Sequence, residues 1–274
     1  MSAAPGSVEV HDLRVQRGSR SRPVVALEGL DLSVASGSFV AIVGPSGCGK
    51  STLLRVLAGL LVPDGGSAHV AGRSVAGRPG SCAWMPQRDA LLPWRSVLDN
   101  AVLAALVGGE DPKQARRRAL ELLDRFGLGE VAPRWPAELS GGMRQRVAVL
   151  RTFLDPAPVL LLDEPFGALD ALTRQELQGW LASVWEDAAD GAPRRTVLLV
   201  THDVEEALLL ADRVVVLSAA PGRVVADHRV AHQRPRSPDL VGEPAFVADR
   251  AELLAALGVP RHPPVSGDGG RAPH

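Results

Sequence analysis

Residues 44–52 read Gly44-Pro45-Ser46-Gly47-Cys48-Gly49-Lys50-Ser51-Thr52 and follow directly on the apolar run Phe39-Val40-Ala41-Ile42-Val43. The run suits a buried strand, and the leucines that recur at helical spacing over residues 52–61 suit a helix, which leaves the glycines in the turn between them. This is G-x-x-x-x-G-K-[ST] in the strand, turn and helix context that the pattern requires. Glycines let backbone N–H groups converge on phosphate oxygens, and the positive end of the following helix adds to the field. Lys50 can then reach the β and γ phosphates of a nucleotide, and Ser51 can ligate Mg²⁺. The bland alternative is a tight turn that binds nothing. With Lys50 and Lys113 the only lysines in the chain, a chance match is rare. Cys48 lies inside the loop, so its alkylation is expected to inhibit and ATP to protect it.

Further apolar runs occur at residues 159–162, 197–200 and 214–217, separated by helical patterns such as Leu177, Trp180, Leu181, Val184 and Trp185. Continuous apolar strands alternating with helices imply an α/β fold with a mostly parallel, covered sheet. The run at 159–162 ends in Asp163-Glu164-Pro165, and packing alone does not place two adjacent carboxylates there. Asp163 is expected to hold Mg²⁺ and Glu164 to deprotonate the attacking water, the alternative being a solvated loop. Residues 8–15 and 24–34 alternate as strands of an edge sheet. From Gln87 to about residue 156 the strand signal gives way to helical periodicity: Asp111-Pro112 makes a cap and first-turn pair, and Ala115, Ala119, Leu122, Leu123 and Phe126 line one face. Residues 1–7 are expected to be a loose end, residues 246–257 a helix, and residues 265–274 a disordered tail.

Composition limits what partners such a chain can have. Its 274 residues suffice for a real core, and 30 basic against 31 acidic residues leave a net charge of −1, with no overall field to collect nucleic acid or anionic lipid. Arg116-Arg117-Arg118 reads as the solvated face of a helix, so no nucleic-acid partner is expected. Cys48 and Cys82 give no disulfide framework, and the opening MSAAPGSVEV lacks the basic-then-apolar run of a secretory signal, which points to the reducing cytosol. Apolar stretches such as residues 101–107 fall far short of the roughly 18 residues that span a bilayer, so membrane contact is expected to go through a partner.

Leu139-Ser140-Gly141-Gly142-Met143-Arg144-Gln145-Arg146 is a second Ser-Gly-Gly turn opening a helix. With this segment the sequence strongly resembles the nucleotide-binding subunit of ABC transporters, over about residues 8–230. The resemblance implies a P-loop NTPase core, an N-terminal antiparallel β subdomain and a helical subdomain inserted at about residues 88–156. Residues 1–230 would then form the ATPase domain, and residues 231–274 a short tail with one helix. It also implies that Ser140, Gly141, Gly142 and Met143 contact the ATP held by the other protomer of a head-to-tail dimer, although Ser140 can equally cap its own helix. Gln87 resembles the glutamine that contacts Mg²⁺ or the lytic water, Asp170 the D-loop aspartate at the dimer interface, and His202 the histidine that contacts the γ phosphate. Many members have Gln at position 143 and stack an aromatic on adenine, yet residues 1–38 contain no Phe, Trp or Tyr. Arg17 or His11 is expected to substitute, with weakened base selectivity.

Ala90-Leu91-Leu92-Pro93-Trp94 and Ala220-Pro221-Gly222-Arg223 resemble the subfamily serving nitrate, sulfonate and taurine importers. That implies a peripheral protein on the cytoplasmic face of the membrane, bound to multispan permease subunits and served by a solute-binding protein. Leu91, Leu92 and Trp94 would line a groove for a permease helix, or else pack internally. The alternatives are a soluble ABC ATPase acting on DNA, ribosomes or iron-sulfur assembly, and the cassette of an exporter.

Overall fold

A computed structural model describes residues 4–19, 22–167, 169–186 and 194–259. Among these residues a six-stranded sheet runs in the order β10-β9-β3-β8-β7-β6. Its strands are β3 (Phe39–Val43), β6 (Ala83–Met85), β7 (Val159–Asp163), β8 (Thr196–Thr201), β9 (Arg213–Leu217) and β10 (Val224–Arg229). All pair in parallel except β10, which runs antiparallel to β9. On β3, Phe39, Ala41 and Val43 face one buried cluster and Val40 and Ile42 face the other. Burial on both faces is why the sequence shows an unbroken apolar run rather than alternation.

A second, antiparallel sheet has the order β2-β1-β4-β5, with β1 (Val8–Ser19), β2 (Arg22–Val34), β4 (Gly65–Val70) and β5 (Arg73–Ser74). The described part of the N-terminal end, residues 4–7, is tied down rather than loose: the Thr196 hydroxyl donates to the Gly6 carbonyl at 2.7 Å. Helix α1 runs Lys50–Leu57 rather than over residues 52–61. It stops early because Gly59 (φ +75°) turns the chain, with Gly59 N–H bonded to Val56 O and Leu60 N–H to Arg55 O.

Between β6 and β7 lie only helices: α2 (Val97–Ala101), α3 (Leu103–Val107), α4 (Pro112–Arg125) and α5 (Gly141–Leu154), with two 3₁₀ turns. Asp111 caps α4 through the Lys113 and Gln114 N–H groups, and Ala115, Ala119 and Leu123 are its buried face. Arg116, Arg117 and Arg118 are exposed and pair with Asp99, Glu121 and Glu110. The remaining helices are α6 (Ala171–Glu186), α7 (Val204–Leu210) and α8 (Pro244–Ala256). Phe246 and Leu253 of α8 are fully buried in the main core cluster, so the tail helix is held by the body. Arg234 reinforces this by bonding Asp212 and Glu186 and stacking 4.6 Å from the Trp185 ring. The expected disorder of residues 265–274 falls outside the described residues. No described helix is long and apolar enough to cross a membrane.

Candidate functional site

The chemistry-bearing residues of the sequence gather at the carboxyl ends of adjacent parallel strands, where open α/β sheets present ligands to a crevice. Residues 44–49 leave β3, Gln87 follows β6, Glu164 follows β7 and His202 follows β8. The loop after β3 needs its glycines. A Cβ on Gly44 would lie 2.7 Å from Cys48 Sγ, and one on Gly49 (φ +103°) would lie 2.7 Å from the Ala26 carbonyl. Lys50 is buried at 6% exposure, and its ammonium donates to the carbonyls of Gly44 (2.6 Å) and Pro45 (3.0 Å). Cys48 is 1% exposed and its side chain joins the core, which corrects the expectation that this thiol is open to alkylation.

Ser51 Oγ donates to Asp163 Oδ1 at 2.9 Å, so the acidic strand end meets the start of α1. Asp163 is 2% exposed. Burial pushes its pKa up, with Glu164 adding to the rise, while the Ser51 hydrogen bond and the Arg55 and Lys50 charges oppose it. A hydroxyl and a buried carboxylate side by side form a hard-oxygen donor pair that fits Mg²⁺, and a divalent charge would offset the cost of burying the carboxylate.

Glu164 sits in the left-handed region at φ +50°, and its N–H donates to the Val200 carbonyl at 2.9 Å. Its carboxylate collects the other residues expected to act in hydrolysis: Gln87 Nε2 donates to Glu164 Oε2 at 3.0 Å, and His202 Nδ1 is 3.7 Å from Oε1. The crevice, about 260 Å³, is lined by the loop residues Ser46, Gly47, Gly49, Lys50, Ser51 and Thr52. Gln87, Glu164 and Arg17 complete its wall beside residues 24–26 of β2. Burial, and secondarily the Arg55 charge, lower the Arg17 pKa. His11 is exposed, pairs with Ser67 across β1 and β4, and is not part of this wall, which removes it as the residue facing a base.

The second small-residue turn stands apart from the crevice. Ser140 caps α5 by accepting from Met143 N–H at 3.2 Å, and none of residues 140–143 lines the crevice. Ser140 and Gly141 are exposed, with Gly142 and Met143 half-buried. A Cβ on Gly142 would lie 3.3 Å from Leu169, so this turn adjoins the segment carrying Asp170. Asp170 is exposed and accepts from Thr173 N–H at 3.0 Å, a bond that holds its pKa low. Of the residues expected to line a surface groove, Leu91 is buried in the core and so packs internally, whereas Leu92 is half-buried and Trp94 is 68% exposed.

Several connecting residues escape sequence reading because their neighbours come from distant segments. Arg144 of α5 pairs with Asp89 at 3.0 Å, and Arg151 donates to the Asp89 and Ala90 carbonyls. Gln145 donates to the Pro165 carbonyl at 2.9 Å. Helix α5 is thereby tied both to the segment after Gln87 and to the segment after Glu164. Glu206 on α7, 5% exposed, accepts from Gln178, and burial pushes its carboxyl up to about 7.

Residues 27–167 match the ABC transporter family. An aliphatic sulfonates import ATP-binding protein of Rhodococcus jostii is 47% identical over 240 residues, 88% of this chain and 90% of the relative. A taurine import ATP-binding protein of Chromobacterium violaceum is 42% identical over 235 residues, 84% of this chain and 88% of the relative. Among solved structures, a dimeric ATP-binding cassette in a post-hydrolysis state bound to ADP and phosphate aligns with a TM-score of 0.72 at 27% identity. That alignment covers 82% of this chain and 100% of the other. The matched segment holds both small-residue turns and the paired carboxylates, and the likeness extends beyond it at both ends: the chain belongs to the ABC transporter family.

Proposed function

We propose that this chain is the ATP-hydrolysing subunit of an importer for an aliphatic sulfonate, taurine or a related small nutrient. Two import ATP-binding relatives at 42% and 47% identity support this reading, and no observation favours a soluble ATPase or an exporter. The observation that carries the hydrolytic part is the hydrogen bond between Gln87 and Glu164 at the wall of the crevice formed by residues 46–52. The subunit works on the cytoplasmic face of the membrane as a head-to-tail dimer, on multispan permease subunits to which a solute-binding protein delivers cargo. Residues 1–230 form the ATPase domain with residues 88–156 inserted as the helical subdomain, and residues 231–274 form the tail. A cleft of about 730 Å³ beside that subdomain, with Trp84, Pro86, Leu103, Val107 and Arg151 among its walls, receives a helix of the permease. Val107, 81% exposed, and Trp94 are apolar surface in keeping with such an occupant.

Within the dimer, backbone N–H groups of residues 46–52 and the Lys50 ammonium bind the triphosphate of ATP. Ser51, Asp163 and Gln87 would hold Mg²⁺, which would supply charge neutralisation on the phosphate oxygens. Glu164 takes the proton of the attacking water, Gln87 orients Glu164, and His202 contacts the γ phosphate. Ser140, Gly141, Gly142 and Met143 of the second copy close on the same triphosphate, with Asp170 at the interface. Contacts that exist only with the γ phosphate present hold the dimer shut, so its loss reopens the pair.

Arg17 lies where a base would stack, and a guanidinium stacks on either purine. Arg17→Ala is expected to raise the Kd for ATP and GTP alike by about 2- to 30-fold, from the roughly 0.5–2 kcal/mol of a cation over a ring, with turnover at saturation unchanged. An unaltered Kd for both nucleotides removes Arg17 from that position. The function is tested by co-expressing the chain with the membrane proteins encoded beside it, reconstituting the complex with its solute-binding protein, and measuring ATP-driven uptake of labelled taurine and alkanesulfonates. Uptake abolished by Glu164→Gln supports the reading; ATP hydrolysis without uptake of any sulfonate contradicts it.

A further inference from the structure

The tail carries chemistry that nucleotide hydrolysis does not use. His228 is on β10, its backbone paired with Val214 of β9, and its side chain points to α8, where Asp249 and Glu252 sit one turn apart on one face. His228 Nε2 is 3.5 Å from Asp249 Oδ1, and His228 Nδ1 is 3.8 Å from Glu252 Oε1. One donor atom from each of the three residues can be chosen so that all lie within 4.8 Å of one another. His228 Nε2 is shut off from solvent and, beyond the 3.5 Å approach of Asp249 Oδ1, has no hydrogen-bond partner among the described residues, a costly arrangement for a buried polar atom unless something occupies its lone pair. His232 Nε2 lies 2.9 Å from Asp249 Oδ2, so it fixes the carboxylate from behind, as outer partners do at metal centres. The His232 ring is itself held 5.6 Å from the Phe246 ring.

We propose that His228, Asp249 and Glu252 bind a divalent first-row transition-metal ion, with His232 as the positioning residue. One imidazole and two carboxylates are a mixed nitrogen and oxygen set, which suits zinc, cobalt or manganese better than the all-oxygen shell of Mg²⁺. Ligands about 2.0–2.2 Å from a tetrahedral zinc stand roughly 3.4 Å apart. His228 gives an ion one ring nitrogen, so only one of the 3.5 Å and 3.8 Å approaches already stands near that spacing, and the remaining carboxylate closes in by side-chain rotation from within 4.8 Å. The ion would pin α8 to β10. Arg250 on the same helix pairs with Glu205 of α7, three residues after His202, so the pinned helix also braces the strand end that carries that histidine.

The test uses the full chain, free of nucleotide and of any affinity tag, with Zn²⁺ and Co²⁺ as probes. One Zn²⁺ per chain is expected with a Kd of about 10 µM or tighter, a rise in Tm on adding Zn²⁺, and a visible Co²⁺ absorption without a thiolate charge-transfer band. His228→Gln and the exposed Glu252→Gln should each weaken Zn²⁺ binding at least about 10-fold and abolish the Tm rise, and His232→Gln should weaken it about 10-fold while leaving the Co²⁺ coordination number unchanged. Binding no tighter than about 1 mM overturns the proposal. So does binding that survives both His228→Gln and Glu252→Gln, or that disappears only when Cys82 is replaced.

Discussion

Glu164→Gln is expected to cut ATP turnover by about 10²- to 10⁴-fold, the span of a lost general base, while leaving ATP affinity within a few-fold of normal. The substitution keeps the volume of the side chain and an oxygen able to accept from Gln87, so the 3.0 Å contact and the backbone bond to Val200 can persist. What it removes is the ability to take a proton. Because ATP then stays intact, the closed dimer should accumulate. Single-turnover kinetics with ATP bound in advance separates the chemical step from nucleotide entry and product release. Near-normal turnover would take Glu164 out of the base role.

Lys50→Ala is expected to weaken ATP binding by roughly 10- to 10²-fold, since a hydrogen bond to a charged group contributes about 1.5–3 kcal/mol and the ammonium, with two donors on the Gly44 and Pro45 carbonyls, has one left for the phosphates. The side chain also serves the loop itself, because its ammonium satisfies the Gly44 and Pro45 carbonyls. Leaving such acceptors unpaired costs about 1–3 kcal/mol, so a modest drop in Tm should accompany the lost affinity. Titration with a fluorescent ATP analogue and thermal melting read the two effects apart. Unchanged ATP affinity would reject residues 44–52 as the triphosphate cradle.

What the sequence made legible follows from how local each feature is. The loop after β3 is complete within nine residues, and its strand and helix flank it directly, so pattern and context agree without tertiary information. The parallel sheet is equally visible because burial on both faces writes unbroken apolar runs at β3, β7, β8 and β9. By contrast, four of the six residues of β4 (Gly65–Val70) are glycine, serine or histidine, most positions are exposed or half-buried, and its pairing with β1 is set by residues over 50 positions away. The helix boundary at Leu57 depended on Gly59, whose positive φ weighs more than the leucines that continue the periodicity.

Side-chain direction is the other quantity that spacing does not encode. Cys48 belongs to the phosphate loop by position yet points into the core, and Arg17 and His11, six residues apart on β1, part company because only one reaches the crevice. Leu91 and Trp94 likewise diverge, one into the core and the other to the surface. The ties from α5 to Asp89 and Pro165, and the cluster of His228, Asp249 and Glu252, join residues 20 to 62 positions apart and leave no periodic trace.

The turn at residues 140–143 and the loop at residues 44–52 are expected to grip one triphosphate from two different copies of the chain. Light scattering of Glu164→Gln with saturating ATP and Mg²⁺ measures this most directly. Twice the mass of one chain is expected, returning to a single chain when Ser140→Arg is added, because that turn is exposed and does not line the crevice of its own copy. A single-chain mass with ATP demonstrably bound would contradict it.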